Sequence, residues 1–411
     1  VGAPASSAAP VPTTALAGVT AEAQRAIDEI ADGASAVSAQ TLTASSDVVA
    51  VAAGACTSTA LRSLNLYLSC SELRGAQAIA TAIERTVSLE TLDMEGNRIG
   101  AAGAVHIGQA LGDNATLTEL NLRNNGIGGD GMTEIASGVA RNTCLCDLNI
   151  DGNAIGVRGA QLLAPALEVN ATLRTLNIGT NELGDEGVAA LAPALRANAA
   201  LTTLVLRHNR IGPDGAAALA NTLTRSSTLT SLDVSFNKLG DAGVATLLPA
   251  CAHITTLLVA GNDVGHDGAA AAARALEHNT SLRTLDVHDN FTLHSYLTLA
   301  DALRRRAAPL ELALHELGKG DAEFVRACAR EGTLDDAAVF GADGTIVTLL
   351  DEHGTDDALA WLHYLLVAAR TPQRTATALA ARPLAPHVSR LRQLFDGVDN
   401  ADVPLQPAPL V

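Results

Sequence analysis

Leucine and isoleucine recur two residues apart at a regular interval through the middle of the chain, as at Leu120 and Leu122 or Leu176 and Ile178. In extended backbone such a pair shares one face of a strand, so Glu119, Asn121 and Arg123 fall on the opposite face. Three residues after the second apolar position stands an asparagine, where the chain must turn out of the strand. An amide there can satisfy backbone groups that no neighbouring strand reaches. The interval is fixed: Asn97, Asn125, Asn153, Asn181, Asn209 and Asn237 are each 28 residues apart, Asn262 follows after 25 and Asn290 after 28 more. Paired glycines come next (Gly100 and Gly103, Gly156 and Gly159), permitting a tight turn, and then Ala104, Ile107 and Leu111 recur at helical spacing. Asp or Glu often stands where the helix begins (Asp130, Asp185, Glu186, Asp214, Asp241, Asp267), a position from which it is expected to cap the helix and complement its dipole.

One repeat therefore reads strand, turn, helix, and it cannot bury its apolar face alone. Stacked copies bury a continuous core, so the predicted fold class is an α/β solenoid, with a parallel inner sheet, outer helices and a helical C-terminal cap. The full phrase, in one copy Leu89, Leu92, Met94, Asn97, Ile99, Gly100, Gly103 and Ala104, resembles the ribonuclease-inhibitor-like class of leucine-rich repeat, over about residues 45 to 300. That resemblance implies a horseshoe serving as a binding surface or scaffold, and it specifies neither one partner nor one activity.

Towards its ends the phrase degenerates. Counting back 28 from Asn97 lands on Ser69, in a copy that keeps Leu61, Leu64 and Leu66, and a further step puts Asp47 to Cys56 on the helix of a weaker copy. Residues 21–31 read as an amphipathic capping helix behind Thr20. The expected plan is a flexible Ala/Pro-rich tail at 1–19, an N-terminal cap and degenerate repeat at 20–60, and leucine-rich repeats at 61–300. A degenerate repeat and helical C-terminal cap follow at 301–370, then a Pro-containing tail at 371–411. In the fourth segment Leu310, Leu312 and Leu314 keep a strand pattern, and Asp356 to Arg370 carries the only tryptophan, Trp361.

Charge narrows the partners. Forty-four acidic against 27 basic residues give −17 at pH 7, which disfavours nucleic acid and anionic membranes and favours proteins with basic surfaces. No apolar run approaches the ~20 residues of a membrane span, and no charged-then-apolar signal segment or Arg-rich presequence is present at the start. The six cysteines, Cys56, Cys70, Cys144, Cys146, Cys251 and Cys328, are scattered and read as reduced, buried filler, which suggests an intracellular, cytoplasmic setting. Asn114-Ala-Thr116, Asn170-Ala-Thr172 and Asn279-Thr-Ser281 match a glycosylation acceptor pattern, but the phrase belongs to the repeat itself.

Catalytic constellations are scarce. His315-Glu316 lacks the second histidine of a zinc-protease helix, His288, Asp289 and His294 fall at a repeat turn, and the Gly-rich stretches at 128–131 and 341–344 lack the Lys and Ser/Thr of a phosphate loop. The sequence assigns no catalytic, cofactor-binding or metal-ligating residue and no small-molecule substrate. What remains is the outward strand face, from which Tyr67, Asp93, Glu95, Asn121, Arg123, Asp151, Arg207, His208, Asp233, Phe236, Asp286 and His288 are the candidate partner-binding residues. The expectation is a non-enzymatic protein-interaction scaffold, a subunit of a larger assembly. A second reading, a regulator of a small GTPase, rests on similarity in repeat class and acidity to Ran GTPase-activating proteins.

Overall fold

The computed structural model describes residues 19–290, apart from 70, 71, 225–227 and 288, together with a strand at 311–313. Strand and helix alternate: α1 Ala21–Ala31, β1 Ala36–Ser38, α2 Ser45–Thr57, β2 Ser63–Asn65, α3 Glu72–Arg85, β3 Thr91–Asp93, α4 Gly100–Asp113, β4 Glu119–Asn121, α5 Gly128–Arg141, β5 Asp147–Asn149 and α6 Gly156–Val169. They continue with β6 Thr175–Asn177, α7 Gly184–Ala197, β7 Thr203–Val205, α8 Pro213–Leu223, β8 Ser231–Asp233, α9 Gly240–Ala250, β9 Thr256–Leu258, α10 His266–His278, β10 Thr284–Asp286 and β11 Glu311–Ala313. The strands form one parallel 11-stranded sheet in sequence order. Equivalent leucines lie in register, Leu92 beside Leu120 beside Leu148. Adjacent strands need ~4.8 Å and adjacent helices ~8–10 Å, so a stack that keeps both in contact must curve with the sheet on its inner side.

Each repeat sends its apolar residues between the two layers. Leu117, Leu120, Leu122, Ile127, Ile135 and Val139 of one copy are at most 2% exposed and join the corresponding residues of the copies before and after in a single core. Truncating any one of these to alanine would cost about 2–5 kcal/mol, the range for buried aliphatic side chains.

The asparagines bind the copies together. Asn153 donates through Nδ2 to the carbonyls of Leu122 in the previous repeat and Ile150 in its own, both at 2.9 Å, and its Oδ1 accepts from the Asn125 N–H at 3.0 Å. Asn181 repeats the pattern one copy on, donating to Ile150 and accepting from the Asn153 N–H. Ser69, where the asparagine is lost, still donates from Oγ to the Ala39 carbonyl at 2.8 Å and passes its N–H to Asn97 Oδ1. At the other end of each helix runs a second ladder. Asn142 donates to the carbonyls of Leu111 and Asn114, and its Oδ1 accepts the N–H groups of Cys144 and Leu145. Asn114, Asn170 and Asn198 are buried in the same way. The amide nitrogens of Asn114 and Asn170 in the acceptor-like N-x-T phrases are thus structural donors pointing inward.

Three local features refine the expectations. Helix α1 has Thr20 as its N-cap, and the buried carboxylate of Asp47 in α2 accepts from both Thr20 N and Oγ1, tying the first helix to the array. The acidic residues at helix starts differ from expectation: α4 to α7 and α9 carry no side-chain cap bond, because the N-cap is Ile or Leu. Asp185 and Asp241 instead reach forward one repeat, each accepting at 2.6 Å from the N–H of Gly212 or Gly265 before α8 or α10. The 25-residue spacing after Asn237 arises at the end of α9, which stops at Ala250, so the second-ladder place comes 14 residues after Asn237 where Asn114 comes 17 after Asn97. Cys251 then takes the second-ladder place, its carbonyl accepting from Asn279 Nδ2 at 2.9 Å. The expected N-terminal tail up to residue 18, the helical part of the C-terminal cap, Trp361 and the C-terminal tail lie outside the described residues.

Candidate partner-binding face

The inner face of the sheet is built from three rows of side chains that follow the buried leucines. The first row, four residues before each ladder asparagine, is largely structural. Asn65 sits at the end of β2 and accepts through Oδ1 the N–H of Tyr67 at 2.9 Å. Asp93, Asn121, Asn149, Asn177 and Asp233 do the same for Glu95, Arg123, Asp151, Gly179 and Ser235. The row is broken at Val205 and Leu258, which have no side-chain acceptor, so the N–H groups of Arg207 and Ala260 have no hydrogen-bond partner among the described residues.

The second row, two residues further on, carries the charge. The Asp151 carboxylate is 1% exposed, with Arg123 Nε 3.2 Å from Oδ1 and Arg207 Nη2 and Nε at 3.2 and 3.3 Å from Oδ2. Arg123 Nη1 also lies 3.6 Å from Glu95, whose other oxygen accepts from Asn121 Nδ2 at 3.3 Å. Arg207 stands two repeats away from Asp151, and Gly179 makes its reach possible. A Cβ on Gly179 would lie 2.4 Å from Asp151 Oδ2 and 2.9 Å from Arg207 Cγ. Both guanidinium groups remain more than a third exposed, so one buried carboxylate fixes two half-exposed arginines across three repeats.

The third row forms the rim, one residue before each ladder asparagine, and it takes left-handed backbone throughout. Gly96, Gly152 and Gly261 occupy it without strain, whereas His208 and Phe236 hold φ of 54° and 55°, uncommon for side chains of that size. Their rings stack at 4.6 Å between centroids with planes 4° apart. Phe236 is 38% exposed and leans over the next repeat, where a Cβ on Gly261 would meet its Cδ1 at 2.6 Å. Tyr67 and Leu68 make a smaller exposed patch at the other end of the face.

The sequence-derived candidates thus divide. Glu95, Arg123, Asp151 and Arg207 come together in one chain of ion pairs, and His208 and Phe236 form one stack. Tyr67 stands apart from both, Asp286 is buried, and His288 lies outside the described residues. Gly179, Val205 and Leu258 shape the face without any chemistry that marks them in a sequence.

The remaining chemistry is quiet. The described cysteines Cys56, Cys144, Cys146 and Cys251 are free thiols. Burial pushes Cys251 up to about 12 and raises Cys56 and Cys144, so these thiols are held neutral. Among the described residues there is no group of His, Cys, Asp and Glu placed to hold a metal ion, and no helix long and apolar enough to cross a membrane.

Comparison with known proteins agrees with this architecture. The model of the family described as Leucine Rich repeat matches residues 87–108, 113–136, 141–164, 169–192, 197–220 and 225–248. These residues are leucine-rich repeats. Among solved structures, the leucine-rich repeat-containing protein LegL7 from Legionella pneumophila is similar at a TM-score of 0.50 and 19% identity, over 73% of this chain and 99% of that one. The tropomodulin C-terminal domain of Caenorhabditis elegans (TM-score 0.31, 21% identity, 36% of this chain and 92% of that one) and the Leiomodin-1 Actin-Binding Site 2 (0.29, 22%, 43% and 87%) are similar over a smaller part of this chain. No curated protein matches significantly in sequence.

Proposed function

We propose that the chain is a non-enzymatic scaffold of a multi-protein assembly, and that its partner protein docks along the inner face of the sheet. The observation that carries this reading is the chain of ion pairs from Glu95 through Arg123 and Asp151 to Arg207. Exposed ion pairs contribute little to stability, with a median of about 0–1 kcal/mol. Here a buried carboxylate and a glycine gap hold two arginines in fixed orientation at the centre of a rigid sheet. Arginine is among the residues that dominate binding energy, and restricting its rotamers beforehand lowers the entropy lost on docking.

The test is native purification with crosslinking and mass spectrometry, comparing the parent chain with an Arg123→Ala, Arg207→Ala double variant. An Arg158→Ala variant, which removes an exposed pair with Asp130 on the helical side, serves as control. The expected result is a partner at constant stoichiometry, crosslinked to the sheet face, weakened by about 30-fold or more in the double variant and unchanged in the control. Recovery as a free monomer that accelerates GTP hydrolysis by a small GTPase would overturn the scaffold in favour of a regulator. Crosslinks confined to the helices would overturn the docking face.

A further inference from the structure

Resting on that docking face, we infer that strands β7 to β9 form a seat for a lysine or arginine side chain of the partner. Val205, Asp233 and Leu258 are register neighbours on three adjacent strands, and all three point to the open side of the sheet. A carboxylate therefore stands between two half-buried aliphatic side chains. Its Oδ1 accepts the Ser235 N–H at 2.9 Å, and its Oδ2 has no partner among the described residues. Three residues further along, within ~10 Å of chain, the exposed ring of Phe236 rests on His208.

Each part suits one portion of a long basic side chain. Val205 and Leu258 stand ~10 Å apart across two strand spacings and flank the position that a methylene stem would take above Asp233. The second carboxylate oxygen matches an ammonium or guanidinium head, and the exposed Phe236 ring at the rim adds apolar surface for the stem. The Arg207 N–H, left without a side-chain acceptor beside Val205, is open to a backbone carbonyl of the partner segment, whereas Ala260 is fully buried. Charge over the whole face points the same way. Counting the first and third residues of β2 to β10 and the residue two beyond each strand, excluding His288, seven carboxylates stand against two guanidinium groups, and both of those are already on Asp151. The net charge of the chain, −17, adds long-range attraction for a basic partner.

The probe is a short fluorescein-labelled peptide of alternating lysine and leucine, with glutamine–leucine and glutamate–leucine peptides as references, followed by anisotropy at about 150 mM salt. The lysine peptide is expected to bind the parent chain and the other two to bind at least about tenfold more weakly. Asp233→Asn should weaken the lysine peptide by about tenfold. Asp147→Asn, which removes the same charge from β5 where no aliphatic pair flanks it, should change binding by less than about twofold. Thermal melts of both variants confirm that they are folded. Equal weakening by the two substitutions would overturn the seat and leave only general acidity, and so would equal binding of the glutamine peptide. If the seat fails while crosslinks of the native partner still map to the sheet face, the docking reading stands without it. If the crosslinks map to the helices, that reading itself has failed.

Discussion

Strands β3 to β6 and strands β7 to β9 share one backbone, one buried leucine row and one asparagine ladder, yet their open faces differ. In the first region every residue four before the ladder asparagine is Asn or Asp, and each closes a bond to the N–H two residues on. In the second, Val205 and Leu258 interrupt that row, an aromatic pair rises at the rim, and one carboxylate, Asp233, is left half used. In the first region Glu95, Arg123 and Asp151 are paired across repeats, whereas the second presents apolar surface beside an open acid. The repeat fixes only the positions facing inward. Rows facing outward are free to depart from the pattern, and the departures are where a partner can be told from other proteins.

The largest effect should fall on what the two regions have in common. Asn153→Ala leaves the N–H groups of Asn125 and Ile127 without a buried acceptor and takes one of two amide donors from each of the Leu122 and Ile150 carbonyls, and Asn237→Ala does the equivalent for Asn209 and Ile211 and for Leu206 and Val234. At about 1–3 kcal/mol for each buried group left unsatisfied, partly relieved by relaxation, each substitution should cost about 3–5 kcal/mol in urea denaturation. A much smaller cost at Asn237 would show that the ladder is not equivalent in the two regions.

The charged rows should separate them. Asp151→Ala removes a buried carboxylate holding two arginines that can partly resolvate, so about 1–2 kcal/mol is expected. Gly179→Ala should cost a similar amount, because its new Cβ occupies the space between Asp151 and Arg207. Asp233→Ala loses one half-buried bond to Ser235 N, worth about 0.5–1 kcal/mol. Equal losses at Asp151 and Asp233 would erase the contrast.

A third comparison uses pH. Cys251, at the end of the shortened helix, is pushed from its ordinary 9.0 up to about 12 by burial. The unfolded thiol ionises first, so the folded state binds more protons above pH 9. Its contribution is therefore complete below about pH 9 and is lost as pH rises towards 12, at about 1.4 kcal/mol per unit. The stability difference between the parent chain and Cys251→Ala should thus shrink by about 1.4 kcal/mol between about pH 8 and pH 10. Cys144→Ala, at a half-buried thiol in the first region, should show a smaller change in the same direction.

Much of this architecture is legible in the sequence because it is periodic. The ladder asparagines, the paired leucines and the Thr20 start of the first helix all follow from spacing and from what an unpaired backbone group requires. The second ladder is harder to see, since Asn142 and Asn198 occupy it without completing the acceptor-like phrase that draws attention to Asn114 and Asn170. The forward reach of Asp185 to Gly212 is invisible locally, because the partner is a backbone N–H 27 residues away. On the open face the sequence supplies the candidates but not their pairing. Nothing in the row Asp151, Gly179, Arg207 says that a missing side chain lets the third residue reach the first.

The smallest effect on stability is also the sharpest way to convert one region into the other. Val205→Asn and Leu258→Asn each restore the residue type that the first region has at that position. Asn177 shows the geometry available: its Oδ1 accepts the Gly179 N–H at 3.0 Å. Because Arg207 N and Ala260 N have no acceptor among the described residues, the new amide should add a bond worth about 0.5–1 kcal/mol. Against this stands the loss of partly buried aliphatic area, worth ~25 cal/mol per Å², so the net change should lie within about 0.5 kcal/mol of zero. Binding should respond much more strongly, since the double variant keeps Asp233 and the charge of the face but removes the walls beside it. A double variant that stays folded, keeps its stability and loses the lysine–leucine peptide would show that the interruption of the row serves recognition. A loss of more than about 2 kcal/mol with binding retained would instead assign Val205 and Leu258 to the packing of the sheet.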